Sequence, residues 1–207
     1  MPFTIRRSAA VLVPLFVTDA GPSVVLTRRP WTMRAHSGEV CFPGGTQDDA
    51  DADLRVTALR EAWEEIGLPP EDVELIGQLN PLATRLSSVW ITPYVGVIEQ
   101  LGELRPSSTE VAAVLEVPLE ELLDPDVYHE ELWPEPDGGS APLEDPSGLR
   151  RMHFFELYGD TVWGATARML YQLLTIATGT DGATGTTGAD TTAPTPDPLG
   201  SLGPIGP

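Results

Sequence analysis

Residues 60–68 read Arg-Glu-Ala-Trp-Glu-Glu-Ile-Gly-Leu, and the spacing of charge in this stretch decides how the chain is interpreted. Glu61, Glu64 and Glu65 stand at i, i+3 and i+4, which places side chains on one face of an α-helix. Helical periodicity extends over residues 53–66. The stretch therefore predicts a helix that presents three carboxylates on one face.

The apolar residues of the same segment predict how this helix packs. They lie on the side away from the glutamates, where they would pack against a sheet and fix the direction of the acids. This apolar set consists of Leu59, Ala62, Trp63 and Ile66. Gly67 and the two prolines at 69–70 predict the end of the helix.

Three acids on one helix face supply the oxygen donors that a bound cation needs. Like charges at i and i+4 repel each other by roughly a few tenths of a kcal/mol per pair. A hard divalent metal reverses that sign, because Mg²⁺ prefers carboxylate oxygens and keeps part of its hydration shell for substrate phosphates. Taken alone, the pattern is more typical of a solvated acidic face. The assignment of Mg²⁺, or of Mn²⁺, therefore depends on the residues around it.

A glycine turn precedes the helix at residues 42–45, which read Phe-Pro-Gly-Gly. The bare backbone of Gly44 and Gly45 can approach a ligand closely or offer a carbonyl to a metal, so both are candidate substrate-binding residues. Turn and helix together resemble the Nudix box, Gly-x5-Glu-x7-Arg-Glu-apolar-x-Glu-Glu-x-Gly-apolar. Residues 60–68 match the second half of that pattern at every defined position. The resemblance implies a metal-dependent pyrophosphohydrolase.

The first half of the box departs from the family pattern. Fourteen residues separate Gly45 from Arg60, one more than in the standard box, and none of them is a glutamate. Asp51 or Asp53 is expected to replace the missing acid. By resemblance, this acid pairs with Arg60, which then orients the site without touching the metal.

A second motif runs into the box. Residues 25–45 read Val-Leu-Thr-Arg-Arg-Pro-Trp-Thr-Met-Arg-Ala-His-Ser-Gly-Glu-Val-Cys-Phe-Pro-Gly-Gly. They resemble the signature of coenzyme A pyrophosphatases, Leu-Leu-Thr-x-Arg-Ser-x3-Arg-x3-Gly-x3-Phe-Pro-Gly-Gly, with Val25 and Pro30 as departures. The extra residue after the glycine pair and a weaker match at residues 162–166 agree with that branch. The resemblance implies coenzyme A and its acyl derivatives as substrates.

Cationic side chains in this motif are candidates for binding the substrate's phosphates. Arginine recognises phosphate through paired, charge-assisted donors, which makes Arg29 and Arg34 the natural candidates. Arg28 is a further candidate, although a solvated loop arginine fits it equally well. His36 is a candidate phosphate ligand or acid–base group, with a structural role as the alternative. Cys41 is expected to pack in the interior.

The reaction expected from the resemblance is attack of an activated water on a phosphorus of the pyrophosphate, without a covalent enzyme intermediate. Glu61, Glu64 and Glu65 would hold the metal, with a carbonyl of the glycine turn as an additional donor. One of these glutamates or a separate acid would deprotonate the water, and Glu110 in a downstream loop is the candidate for that extra acid. The products from coenzyme A would be 3′,5′-ADP and 4′-phosphopantetheine.

Short apolar runs outside the motifs predict β-strands, and residues 19–22 predict a turn that pairs the first two. A proline-led segment after residue 117 predicts a short helix, residues 133–148 an exposed loop, and residues 164–177 a closing helix. The strand predictions are 9–17, 23–27, 73–76, 89–98, 112–117 and 151–158. The Nudix resemblance implies an α/β (α+β) fold, an α/β/α sandwich around a mixed, curved sheet.

Composition limits the classes of function. The formal charge of −19 argues against nucleic-acid and membrane binding. Cys41 is the only cysteine, which indicates a reducing cytoplasm. Residues 1–177 are expected to form one catalytic domain, followed by a disordered Gly-, Thr- and Pro-rich tail at 178–207. A small-molecule substrate is the expected partner, and a homodimer is compatible with the sequence.

Two alternatives to coenzyme A hydrolysis remain open at this point. The first is a Nudix hydrolase of another nucleoside diphosphate derivative, such as ADP-ribose or NADH, or of a nucleoside triphosphate, which the arginine motif argues against. The second is a catalytically silent Nudix domain that binds a nucleotide as a regulator. Intact box glutamates argue against that second interpretation, since a binding module has no need of all three.

Overall fold

The computed structural model describes residues 7–32, 36–84, 89–134 and 149–179. Arg34, most of the predicted loop at 133–148, and all but the first two residues of the predicted tail lie outside the described residues. The strands are β1 (Arg7–Thr18), β2 (Gly21–Arg28), β3 (Val40–Cys41), β4 (Gly44–Thr46), β5 (Glu74–Gln78), β6 (Leu82–Thr84), β7 (Val89–Val97), β8 (Ala113–Pro118), β9 (Tyr128–Pro134), β10 (Leu149–Leu157) and β11 (Asp160–Val162). The helices are α1 (Leu54–Ile66), α2 (Leu119–Leu122) and α3 (Gly164–Thr178), with a single 3₁₀ turn at Pro70–Asp72.

The central sheet is mixed. Its path runs β3-β2-β1-β7-β5, while β4 pairs with β1, β6 with β7 and β8 with β2. The hairpin of β1 and β2 was predicted, but β1 also runs parallel to β7, its long-range partner. A second, antiparallel sheet has the order β11-β10-β9.

Each face of the central sheet buries its own apolar cluster. On one face, Ala58, Ala62 and Ile66 of α1 pack with Leu12 and Phe16 of β1. On the other face, the buried side of α3 and the strands β10 and β11 complete a larger cluster. The residues of α3 in that cluster include the four that periodicity predicted, Met169, Leu170, Leu173 and Leu174. The predicted α/β/α sandwich around a mixed sheet is confirmed.

Two sequence predictions about packing are wrong. Trp63 is 52% exposed, so it does not belong to the buried side of α1, where Ala58, Ala62 and Ile66 lie at four-residue spacing. Trp133 and Pro134 end strand β9, although their surroundings in sequence predicted a loop. For Trp133 and Pro134 the local composition indicated a loop, but the pairing of β9 with β10 decided the outcome.

Candidate active site

Helix α1 is fixed at both ends by capping residues. Asp53 is the N-cap, and its side chain accepts hydrogen bonds from the backbone N–H of Arg55 at 2.8 Å and of Val56 at 3.1 Å. Gly67 is the C-cap in the left-handed region, with φ of 69°, and its N–H donates to the Trp63 carbonyl at 2.9 Å. The glutamates of the box are thereby held in register on a helix with defined ends.

Asp51 is the acid that pairs with Arg60, which resolves the choice between Asp51 and Asp53. Arg60 donates from Nε to Oδ1 and from Nη2 to Oδ2 of Asp51, both at 3.0 Å. The Thr57 hydroxyl and the Asp48 N–H donate to the same carboxylate at 2.9 and 3.0 Å. These donors, led by Arg60, hold the pKa of Asp51 well below its usual range. The carboxylate is buried and ionised, and it locks the Arg60 guanidinium.

Glu61 lies against Gly45, which with Gly44 belongs to strand β4 and not to the predicted turn. A Cβ placed on Gly45 would lie 2.6 Å from the carboxyl carbon of Glu61, so any side chain at position 45 would displace the Glu61 carboxylate. Arg60 Nη2 is 3.1 Å from Glu61 Oε1. Burial raises the pKa of Glu61 and the charges of Glu64 and Glu110 add to that effect, whereas Arg60 opposes it.

Glu65 is the most buried of the three glutamates, at 5% exposure. Its Oε2 accepts a hydrogen bond from the Gly44 N–H at 3.3 Å. Burial raises its pKa to about 7, helped by the charges of Glu61 and Glu110 and opposed by Gly44 and Arg29. Desolvation therefore outweighs the hydrogen bond, and the anionic form of Glu65 is destabilised in these surroundings.

Glu64 points outward and is bound by Arg60, with 2.9 Å between Nη1 and Oε2. The three box glutamates thus share a helix face, but they do not converge on one point as the spacing suggested. Within the described part of the chain, no three His, Cys, Asp or Glu side chains surround a common centre. The Arg60 guanidinium contacts the carboxylates of both Glu61 and Glu64, so its positive charge reduces the repulsion between them.

The donor set still fits a hard divalent cation. Glu61, Glu64 and Glu65 supply carboxylate oxygens, the ligand type that Mg²⁺ prefers. Gly45 leaves bare backbone against one of these carboxylates. Burial beside like charges raises the pKa of Glu61 and Glu65, and a nearby cation would favour their ionised forms. For all three glutamates to coordinate one cation, Glu64 would have to break its contact with Arg60. Arg60 would keep its two hydrogen bonds to Asp51.

Strand alternation separates the two consecutive arginines of the upstream motif. Side chains along a strand point to opposite faces in turn. Val24 and Leu26 belong to the cluster under α3, and Val25 to the cluster under α1. Arg28 lies on the same face as Val24 and Leu26, and it pairs with Asp160 of β11 at 3.1 Å. Its position gives no support to the predicted substrate contact, because it lies on the face away from the glutamates.

By the same alternation, Arg29 lies on the face of the sheet that Val25 occupies, and it faces the glutamates. Its positive charge lowers the pKa of both Glu65 and Cys41, although burial still leaves the Cys41 pKa raised. The Nε atom of Arg29 is buried and has no hydrogen-bond partner among the described residues. An unpaired buried donor of a cation costs free energy, so a group that accepts from it would be stabilised there.

Glu110 reaches the site from the loop between β7 and β8. The Ser107 N–H donates to the Glu65 carbonyl at 2.8 Å, which ties this loop to the last turn of α1. Glu110 itself is exposed, and its charge raises the pKa of Glu61 and Glu65. The loop thereby brings together the acids that the sequence singled out separately.

His36 lies on the exposed loop before β3, with φ of 55°. Its Nδ1 is 2.8 Å from Glu39 Oε2, and 64% of its side chain is exposed. These contacts place His36 at the surface of the motif loop. Trp31, in the same loop, covers Gly38, where a Cβ would clash with the indole ring.

The chain belongs to the Nudix family, because the family model described as the NUDIX domain matches residues 6–135. The predicted class is thereby confirmed: the protein is a Nudix hydrolase of pyrophosphate bonds. Nudix hydrolases generally use divalent metals such as Mg²⁺.

Two relatives resemble most of the chain. An uncharacterised Nudix hydrolase NudL from Citrobacter koseri is 40% identical over 169 residues, with 81% of each chain covered. A protein of the same description from Pectobacterium atrosepticum is 37% identical over 168 residues, again with 81% of each chain covered. The chain is therefore similar to NudL proteins beyond the box itself.

Solved structures resemble the chain less closely. A Caenorhabditis elegans Ap4A hydrolase in a binary complex aligns with a TM-score of 0.49 at 17% identity, covering 57% of this chain and 84% of the other. The NUDIX domain of Shewanella oneidensis NrtR complexed with ADP ribose aligns with a TM-score of 0.46 at 20% identity, covering 58% and 77%. In the described ranges of the chain, every helix is too short or too polar to cross a bilayer.

Proposed function

We propose that this Nudix hydrolase cleaves the pyrophosphate of coenzyme A and acyl-coenzyme A, giving 3′,5′-ADP and (acyl-)4′-phosphopantetheine. The observation that carries the proposal is the position of Arg29. This motif arginine faces the same side of the sheet as Glu65 and keeps a buried Nε without a partner among the described residues. A phosphate oxygen satisfies such a donor through a charge-assisted hydrogen bond.

Each acid of the site has a proposed role. Glu61, Glu64 and Glu65 hold Mg²⁺, or Mn²⁺, which supplies neutralisation of the charge that develops on the phosphates. Arg60, fixed by Asp51, orients Glu61. Gly45 lets the pyrophosphate approach the acids, since it presents bare backbone towards Glu61, whereas the missing side chain of Gly44 makes room for Ala10 and Val11 of β1.

Glu110 is the proposed general base. Water attacks one phosphorus, its proton passes to the Glu110 carboxylate, and the bridging P–O bond breaks to release two phosphate monoesters. Support comes from the loop that carries Glu110, which is bonded to the last turn of α1 within reach of the charges of Glu61 and Glu65. No covalent intermediate is required.

The substrate's 3′-phosphate offers a second anion to recognise. Arg34 and His36 are the proposed contacts for it, on the basis of their places in the upstream motif, and Arg34 lies outside the described residues. A cytoplasmic location is also proposed, supported by Cys41 as the sole cysteine of the sequence. Assembly as a homodimer stays a prediction.

A substrate panel tests the proposal. The full-length protein with Mg²⁺ is compared on coenzyme A, ADP-ribose, NADH and nucleoside triphosphates by kcat/KM. We expect coenzyme A to be the best substrate, Arg29→Ala to lower its kcat/KM, and Glu64→Gln to abolish nearly all Mg²⁺-dependent turnover. Faster cleavage of ADP-ribose, together with an unchanged rate on coenzyme A in Arg29→Ala, would overturn the substrate assignment. Wild-type turnover in Glu64→Gln would overturn the metal assignment.

A further inference from the structure

The segment between β7 and β8 docks on the end of helix α1. The Arg105 N–H donates to the Ile66 carbonyl, and the Ser107 N–H donates to the Glu65 carbonyl, both at 2.8 Å. Carbonyls in the last turn of a helix lack partners within the helix. The loop therefore satisfies two backbone groups of α1 and is held at a defined height on its end.

Gly67, at the end of α1, lies close to the docked loop. A Cβ on Gly67 would lie 3.1 Å from Arg105 Cβ and 3.3 Å from its carbonyl oxygen, tighter than ordinary van der Waals contact. Gly67 also has φ of 69°, as C-caps commonly do. Glycine is thus favoured here for two separable reasons, the left-handed backbone and the room for Arg105.

The same loop also fixes the position of Glu110. The Ser107 carbonyl accepts hydrogen bonds from the N–H of Glu110 at 3.0 Å and of Val111 at 2.8 Å. Val111 is 4% exposed and packs in the cluster under α1. Glu110 is therefore carried by a turn whose start is bonded to α1 and whose end is buried against it.

We propose that Gly67 is a positioning residue for Glu110: its missing side chain lets Arg105 and Ser107 seat on α1, and this seating holds the Glu110 carboxylate beside Glu61 and Glu65. The inference rests on the proposed function, which gives Glu110 its part in proton transfer. Gly67 acts only through the loop and touches no substrate.

Asparagine at Gly67 separates the two requirements, because Asn tolerates the left-handed region while its side chain still crowds Arg105. Gly179 supplies the matched control. It is the C-cap of α3 with φ of 64°, and a Cβ there meets nothing within 4 Å. Gly179→Asn therefore reports the backbone effect alone, and Gly67→Asn adds the displacement of the loop.

The experiment measures kcat and KM on the best substrate of the panel for Gly67→Asn, Gly179→Asn, Glu110→Gln and the double variant Gly67→Asn/Glu110→Gln. Loss of a general base costs about 10²-fold or more in kcat, and a displacement on the order of 1 Å costs up to about 10²-fold. We expect Gly67→Asn to lower kcat about tenfold or more with little change in KM, and Gly179→Asn to match wild type. In the Glu110→Gln background, Gly67→Asn should add less than about twofold.

Amide hydrogen exchange supplies a readout independent of turnover. The Arg105 and Ser107 amides should exchange faster in Gly67→Asn than in wild type or Gly179→Asn, since their bonds to α1 are disturbed. An undiminished loss of kcat in the double variant, or unchanged exchange at both amides, would overturn the positioning role. Full activity of Glu110→Gln would remove the role of Glu110 and the inference with it. A wild-type protein inactive on every substrate would instead refute the proposed function.

Discussion

Removing the Asp51 carboxylate should destabilise the protein, because it breaks a buried ion pair beside the site. Asp51→Asn keeps the shape but loses the charge that accepts two hydrogen bonds from Arg60 at 3.0 Å and two more from Thr57 and Asp48. Breaking a fully buried pair costs about 3–5 kcal/mol. The Asp51 side chain is 3% exposed but that of Arg60 is 23% exposed, so the expected loss in free energy of unfolding is about 2–4 kcal/mol.

This loss depends on pH in a defined direction. The pKa of Asp51 in the folded protein lies well below its unfolded value of about 3.9. A depressed folded pKa stabilises the protein fully above the unfolded pKa, and the contribution is lost as pH falls towards the folded pKa. The difference in stability between wild type and Asp51→Asn should therefore be constant above about pH 5 and shrink below about pH 4.

Urea denaturation followed by circular dichroism at several pH values measures both effects. Asp48→Asn is the matched control, since Asp48 is 71% exposed and its contact with Arg60 is 3.8 Å long; it should change stability by less than about 0.5 kcal/mol. Equal stability of Asp51→Asn and wild type at neutral pH would refute the role given to the Asp51–Arg60 pair. A difference that grows on acidification would refute the assigned direction of the pKa shift.

Three further predictions concern residues around the site. Arg28→Ala breaks the ion pair with Asp160 and should lower the free energy of unfolding by about 1 kcal/mol. Its kcat/KM for coenzyme A should stay within about twofold of wild type. A tenfold loss of kcat/KM would show that Arg28 contributes to substrate binding. Because burial raises the Cys41 pKa, its thiol should resist alkylation at neutral pH until urea unfolds the protein, and rapid alkylation of the native protein would contradict this. Gly45→Ala should abolish turnover without loss of fold by circular dichroism, because its Cβ would collide with Glu61, and retained turnover would show that this close approach is unnecessary.

Local spacing was sufficient to predict the helix and its acids. Glu61, Glu64 and Glu65 share a face of α1 because helical geometry alone sets their angles. Spacing could not predict that Arg60 would separate Glu61 from Glu64, since the reach of a long side chain depends on the loop that carries Asp51. Counted from Gly45, Asp51 stands where the box has its glutamate, so the extra residue falls between Asp51 and Arg60.

The separation of Arg28 from Arg29 had a partial signal in the sequence. Arg28 ends strand β2 and Arg29 follows it directly. Consecutive strand residues point to opposite faces, so this alternation indicates that the two arginines lie on different faces. The choice between them required knowing which face carries α1. The contact of Ser107 with the end of α1 had no sequence signal, because it joins two backbone groups about 40 residues apart.

Identification of the reaction products is the most direct test of whether the protein hydrolyses the pyrophosphate of coenzyme A. The purified full-length protein is incubated with coenzyme A and Mg²⁺, and the products are separated and identified by mass spectrometry. We expect equal amounts of 3′,5′-ADP and 4′-phosphopantetheine, and no such products from Glu64→Gln. Intact coenzyme A alongside cleaved ADP-ribose or NADH would contradict the substrate, and dephospho-coenzyme A with free phosphate would contradict cleavage at the pyrophosphate.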